Sequence, residues 1–361
     1  MSTSTTTSGP GPDLDEPLGG VPLTAGQLPR GAGTGLLVGA VALGLLLYFA
    51  ADWTVAGSAV FAALAYTVVI YVWSRTVEGP RKAKDRLVTA VVTGAFLLAL
   101  LPLISVIVTV ISNGVERFDA EFFTHSMAGV AGEGGGIYHA IMGTLIITGL
   151  AAAISVPIGL LTAIYLVEYG KGKLAKAITF FVDVMTGIPS IVAGLFAYAL
   201  FVMIFGPGVR MGLAGAVALS VLMIPTVVRS TEEMLKLVPN ELREASYALA
   251  VPKWRTIVKV VLPTALAGIA TGVTLAIARV IGETAPLLVT AGLADAMNTN
   301  PTDGRMTTLS VFSYYQYQNP GLFAEAAMER AWGAALILII IVMLLNLIAR
   351  IISKLFAPKT R

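Results

Sequence analysis

Residues Leu87 to Ile111 read LVTAVVTGAFLLALLPLISVIVTVI, twenty-five positions without one ionisable side chain. As a helix at 1.5 Å per residue this stretch is about 37 Å long, enough to cross a hydrocarbon core of about 30 Å. Arg81, Lys82, Lys84, Asp85 and Arg86 stand immediately before it, a polar collar of the kind found where a span meets water. Seven more stretches share its character: Thr34 to Ala51, Val55 to Trp73, Ile141 to Leu166, Ala177 to Phe205, Leu213 to Val228, Ala265 to Thr290 and Ala331 to Ile352. Lipid offers no partner to an open strand edge, and none of these stretches alternates as barrel strands do. The expected fold class is an all-α polytopic membrane protein with about eight transmembrane helices.

Composition agrees. Of 361 residues 56% are hydrophobic and only 12% charged, against about 25% charged in a soluble domain. That shortfall excludes an ordinary soluble enzyme and a disordered chain, both of which need more polar surface. The absence of cysteine excludes disulfides, thiolate zinc sites, iron–sulfur clusters and a cysteine nucleophile. His125 and His139 are the only histidines, too few for a histidine-rich metal site, so no catalytic or metal-binding set is assigned. The net charge of +3 does not point to nucleic acid, because the basic residues do not cluster on one soluble face.

The basic residues instead alternate between the two sides of the membrane. Arg75, Arg81, Lys82, Lys84 and Arg86 follow the second stretch, and Lys171, Lys173 and Lys176 follow the fourth. Arg229, Lys236, Arg243, Lys253, Arg255 and Lys259 follow the sixth, and Arg350, Lys354, Lys359 and Arg361 end the chain. The opposite side holds only Arg117, Arg210, Arg305 and Arg330, with Glu116, Asp119, Glu121 and Glu133. An excess of Lys and Arg marks the cytoplasmic side, so both termini are expected there, with the loops 112–140 and 291–330 outside. Residues 1–33 are rich in Ser, Thr, Gly and Pro and lack a basic leader, which reads as a disordered cytoplasmic tail and not a signal peptide. Residues 356–361 form a second, short tail.

Several spans carry more than anchoring requires. Pro157, Pro189 and Pro225 lie inside them, each removing a helix hydrogen bond. Ile188-Pro189-Ser190-Ile191-Val192 and Ile224-Pro225-Thr226-Val227-Val228 echo one another; the pair can be kinks that aid packing or hinges in a moving pathway. No longer internal repeat is evident. Gly35-x-x-x-Gly39 and Gly268-x-x-x-Gly272 permit close helix approach without identifying a partner. Arg279 is the most informative charge, because an arginine at the centre of a span costs about 2.5–3.5 kcal/mol on insertion scales. Glu283, one turn further on, can pair with it. The two form either a packing ion pair or a donor fork facing an anion's route. Arg229, at the cytoplasmic end of the sixth span, is either an interfacial residue or a second contact on that route. Asp183, early in the fifth span, can cap or pair locally.

Between the sixth and seventh spans runs a long polar connection, Asn240-Glu241-Leu242-Arg243-Glu244-Ala245-Ser246-Tyr247-Ala248-Leu249-Ala250-Val251-Pro252-Lys253-Trp254-Arg255, reaching Leu262-Pro263. Leu242, Ala245, Leu249 and Trp254 can form an apolar ridge on a short helix, suited to another protein's groove or to the headgroup layer. This connection resembles the EAA coupling loop of ABC importer permeases: Glu244-Ala245-Ser246, then Ala250 where the family has glycine, then Val260, Leu262 and Pro263. Flanking stretches are similar to PstA-type permease subunits of phosphate ABC importers: Gly134-Gly135-Gly136-Ile137, Gly143-Thr144, Pro157-Ile158-Gly159, Tyr165-Leu166-Val167-Glu168-Tyr169, Gly187-Ile188-Pro189-Ser190-Ile191-Val192-Ala193-Gly194 and Ala278-Arg279-Val280-Ile281-Gly282-Glu283-Thr284-Ala285-Pro286. The resemblance covers roughly residues 87–355. Ser246 and Ala250 depart from it; if the family's glycine holds a left-handed helix end, alanine there costs about 1 kcal/mol.

The resemblance implies a six-helix type I permease domain over 87–355, with coupling loop 232–263 and two extra spans in 34–86 that have no assigned role. It implies a heterodimer with a second related permease, two cytoplasmic ATPase subunits and an extracytoplasmic phosphate-binding protein, in the cytoplasmic membrane. No G-x-x-x-x-G-K-[ST] loop occurs in the chain, so ATP and magnesium belong to the partner ATPase and no cofactor is expected here. By the same resemblance Glu244, Ala245, Ser246, Ala250, Leu262 and Pro263 couple to the ATPase. Arg279, Glu283 and Arg229 line the route, and Pro189 and Pro225 act as hinges. Competing readings are a permease for another oxyanion or an organic phosphate, and an ion-coupled secondary transporter. The latter often shows inverted repeats and midplane carboxylates, neither of which is seen. A membrane-embedded enzyme lacks a catalytic constellation. The aromatic segment Phe312 to Tyr317 either docks the binding protein or lies at the interface.

Overall fold

A computed structural model describes residues 26–29 and 31–356. Most of the expected N-terminal tail and nearly all of the C-terminal one lie outside the described residues. The described residues form helices and no strands, and seven helices are long and apolar enough to cross a membrane, or eight if one bent pair is a single span. The chain divides into two units, one up to Ile107 and one from Val108 onward.

The first unit holds α1 (Ala32–Ala50), α2 (Val55–Val77) and most of α3 (Pro80–Gly114). Thr54 caps α2 by accepting a hydrogen bond from the Gly57 amide at 3.2 Å. At the opposite end of α2, the buried Glu78 carboxylate accepts from Arg86 Nε and Nη2 at 2.6 and 2.9 Å, from Ser74 Oγ at 2.8 Å and from the Leu28 amide at 3.1 Å. The Arg86 hydrogen bonds hold its pKa well below the usual carboxylate range, at about 2. Leu28, Ile70 and Ala90 form the small core beside this latch, while most large side chains of these helices face outward, as lipid-facing helices require.

The second unit is built around α8 (Gly212–Lys236), most of whose residues are buried or half-buried. Small residues Ala214, Gly215, Ala216, Ala218 and Ser220 run down it, so neighbouring backbones approach closely. Those neighbours are α5 (Tyr138–Ile164), α6 (Gly172–Thr186), α7 (Ser190–Phe205), α11 (Leu262–Val280) and α12 (Ala285–Thr290). Their core is Ile147, Leu219, Met223, Val227, Val280 and Leu287 with small residues between. Outside this set lie the short α4 (Ala120–Thr124), α9 (Asn240–Ala248) and α10 (Lys253–Thr256). The remaining helices are α13 (Leu309–Gln318) and the long α14 (Ala324–Phe356), and α13 packs on α14. Gly268 and Gly272 face Met234 and Ser230 of α8, so that small-residue pair serves packing within the chain.

Two of the eight expected spans are broken. The fifth bends by 109° between α6 and α7. Pro189 lies at this break and not inside a helix: a residue before proline is pushed out of helical conformation, so the turn closes on Gly187 and Ile188 and α7 starts at Ser190. Pro225 stays within an unbroken α8. The seventh stretch ends as helix at Val280, and residues 281–284 are irregular before α12 resumes.

Candidate functional site

The irregular segment 281–284 sits inside an apolar stretch, and non-helical backbone at membrane depth is tolerated only where protein or a water-filled cavity satisfies it. Here protein satisfies it. The freed Glu283 carbonyl accepts a hydrogen bond from Ser310 Oγ at 2.8 Å. Beside it lies a cavity of about 370 Å3 that Gly282, Thr284, Ser310, Ser313, Tyr314 and Tyr317 help to line. Ala331, Trp332, Ala335, Leu338 and Ile339 complete a mainly apolar wall, and the Ser310 and Ser313 hydroxyls already donate to the Glu283 and Ala331 carbonyls.

Arg279 lies on the last turn of α11, one residue before the break, and is exposed. The expected Arg279–Glu283 pair does not form. Its premise was a continuous helix, in which residues four apart share a face; α11 ends between them, and Glu283 follows the turn elsewhere. Among the described residues Arg279 has neither a hydrogen bond nor an ion pair. A guanidinium cannot face lipid without a polar companion. The face of α11 bearing Thr271, Leu275 and Arg279 is exposed in this chain.

Arg229 is placed quite differently. Its guanidinium bonds to Asp183 of α6, and through Nη1 to Glu232 at 2.7 Å, while Lys236 binds the other Glu232 oxygen at 2.7 Å. Asp183 is thus the partner that fastens α6 to α8.

The connection after α8 folds as α9, a tight turn and α10, followed by a π-helical turn at Ile257–Val261 that leads into Leu262 and Pro263, the start of α11. Ala250 has φ of 53°, in the left-handed region. Its amide donates to the Tyr247 carbonyl at 2.9 Å and the Val251 amide to the Ser246 carbonyl at 3.2 Å, closing α9 with a Schellman turn. The expected left-handed position is therefore real, and alanine occupies it. The other departure is compensated: Ser246 is buried, and its hydroxyl bonds Thr256 Oγ1 at 2.8 Å across the loop. Leu242, Tyr247, Leu249 and Trp254 stand exposed, with Leu249 at 80%, and Glu244 and Ala245 share the open side.

Several contacts join stretches far apart in sequence. Gly194 of α7 faces Pro286 of α12, where an added Cβ would lie 2.6 Å from the Pro286 Cα. Gly159 of α5 meets Val227 of α8 in the same way at 2.7 Å. Thr144 Oγ1 accepts from the Leu309 amide at 2.8 Å, and the Glu168 carboxylate receives Arg243 at 2.9 Å. Sequence reading assigned no individual role to Glu168 or Ser310, and read Phe312 to Tyr317 only as a segment that docks the binding protein or lies at the interface. The run SVFSYYQY at 310–317 carried a usable sign, since Phe312 is buried whereas Tyr314 and Tyr317 face the cavity.

A helical permease with a broken span, an unpaired arginine and a projecting polar loop is the class that fold and site define. Residues 155–361 match the family described as binding-protein-dependent transport system inner membrane component, and the chain belongs to that family. It is 48% identical over 277 residues, 75% of this chain and 89% of the relative, to the phosphate transport system permease protein PstA 1 of Mycobacterium tuberculosis. It is 40% identical over 274 residues, 75% of this chain and 95% of the relative, to the phosphate transport system permease protein PstA of Pasteurella multocida. A solved chain of the bacterial alginate ABC transporter, in complex with an alginate-bound periplasmic protein, shares 14% identity, covering 75% of this chain and 96% of its own, with a TM-score of 0.54. The likeness to that chain is one of fold.

Proposed function

We propose that this chain is the permease subunit of an ATP-driven phosphate importer, forming half of the translocation route. Its PstA relatives support the substrate, and they are permease subunits, not enzymes. The observation that carries the reading is Arg279: an exposed guanidinium, unpaired among the described residues, one residue before a break in its span. In the assembled importer this face meets the second, related permease, and the anion passes between them along Arg279 and Glu283. Arg229 meets the anion where Asp183 and Glu232 release it. Both termini and α9 lie on the cytoplasmic side, where the ridge around Glu244 to Ala250 seats in one of two ATPase subunits. An extracytoplasmic phosphate-binding protein delivers substrate to the opposite face. Pro189 and Pro225 are the points about which the spans bend.

The test is labelled-phosphate uptake in cells whose only importer contains this chain. Arg279→Gln is expected to lower uptake roughly ten- to hundredfold while the complex still purifies with its ATPase; normal uptake would remove Arg279 from the route. Competition of uptake by another oxyanion or an organic phosphate, stronger than by phosphate itself, would reassign the substrate.

A further inference from the structure

The Arg243 side chain spends all of its donors inside the protein. Nε and Nη2 bond Glu168 Oε1 at 3.0 and 2.9 Å, and Nη2 also reaches the Leu235 carbonyl at 3.0 Å. Nη1 bonds the Val238 carbonyl at 2.6 Å and Asn240 Oδ1 at 3.3 Å. The two charged side chains are 13% and 5% exposed, so this is a largely buried ion pair centred on Glu168 Oε1. From the other half of the loop, Lys253 Nζ donates to the main-chain carbonyl of the same Glu168 and lies 4.8 Å from the centroid of the Tyr169 ring. Carbonyls at a helix end lack intrahelical partners and carry the negative end of the dipole, which is where a lysine binds well. One residue therefore receives both α9, through its carboxylate, and α10, through its carbonyl.

Glu168 lies in a π-helical turn, Tyr165–Tyr169, that continues α5. Such turns are rare and recur at functional positions. A second one, Ile257–Val261, leads from α10 into α11. From Glu168, α5 runs as an unbroken helix of 27 residues, about 40 Å. At its far end Thr144 Oγ1 holds the Leu309 amide at 2.8 Å, and the adjacent Ser310 Oγ holds the Glu283 carbonyl at 2.8 Å. The loop and the broken span are thus joined by one continuous helical rod, with Pro157 inside it and a hydrogen-bonded fastening at each end.

We propose that Glu168 is the positioning residue that passes movement of α9 into α5, and through Thr144 and Ser310 to the broken span beside Arg279. This rests on the reading of α9 as the ATPase contact. In the importer, an ATPase pair that closes pulls α9; with Glu168 in place α5 follows, and without it α9 moves alone.

The experiment uses the full complex in proteoliposomes and reads phosphate imported per ATP hydrolysed. A cross-link between α9 and the ATPase is recorded first in the unaltered complex. Glu168→Ala is expected to keep the ATPase bound and hydrolysing while import per ATP falls at least about fivefold, the lower end of coupling between sites. Glu168→Gln, which keeps the side chain's shape, covers the case in which the alanine variant fails to assemble, and is expected to fall in the same direction. Thr144→Val, at the far end of the rod, is expected to lower the ratio without touching the loop. Because the chain has no cysteine of its own, the double variant Glu168→Cys, Arg243→Cys can be bridged by a short thiol cross-linker, and bridging should restore the ratio. An unchanged ratio in Glu168→Ala, or in Glu168→Gln where alanine does not assemble, overturns the inference alone. Absence of any α9–ATPase cross-link in the unaltered complex overturns both the inference and the reading beneath it.

Discussion

Arg229 and Arg279 stand on adjacent helices of one packed unit, yet their surroundings are opposite. Around Arg229 every charge has an opposite within the chain: Asp183, Glu232 and then Lys236. Around Arg279 none is supplied among the described residues. The ion pairs at Arg229 must open before it can meet an anion, whereas the Arg279 guanidinium is already open among the described residues.

The contrast can be broken or sharpened by substitution. Removing the Arg279 charge should cost the anion about 1.5–3 kcal/mol of stabilisation, roughly ten- to hundredfold in uptake rate, with no change in thermal stability of the purified complex. A loss of stability in place of a loss of uptake would put Arg279 in the same class as Arg229. Next in size is Gly194→Val, whose branched side chain would collide with Pro286. It should force α7 from α12 at a cost of about 1–3 kcal/mol, read as a lower unfolding midpoint. Ala250→Gly should act in the opposite sense. Relieving a left-handed alanine gains about 1–2 kcal/mol, part of which is lost to the freer unfolded chain, so a net rise of up to about 1 kcal/mol is expected. The smallest effect belongs to Asp183→Asn. The carboxylate is 59% exposed, so losing its pair should cost about 0.2–1 kcal/mol, seen as increased proteolysis near the α6–α7 bend.

Hydropathy made the spans legible because crossing a bilayer demands about 20 apolar residues, a signal too long to arise from a single packing contact. The same averaging concealed the breaks. Gly282 and Pro286 interrupt Ala265–Thr290 without lowering its apolar character, and the one-turn spacing of Arg279 and Glu283 lost its meaning once the helix ended at Val280. The two Ile-Pro echoes show the limit of local pattern: Pro189 follows a helix end at Gly187 and marks a sharp bend, whereas Pro225 lies buried in a continuous α8. The left-handed position at Ala250 could be anticipated from a glycine pattern. The clasp between Glu168 and Arg243 could not, because residues 75 apart in one sequence carry no sign that they meet.

The backward reach of the hydrogen bonds at Leu309 and Ser310 sets an order of manufacture. These residues bond Thr144 and Glu283, 165 and 27 positions earlier, and a chain leaving the ribosome is built from its N-terminus. When Arg243 emerges, Glu168 has already been made, so the loop settles on a finished anchor. The broken span has no such anchor until residues 309 and 310 follow it. A nascent chain halted before them would hold a folded loop while the Glu283 carbonyl still lacked its Ser310 partner, which places the fastening of the broken span among the last events of its biosynthesis.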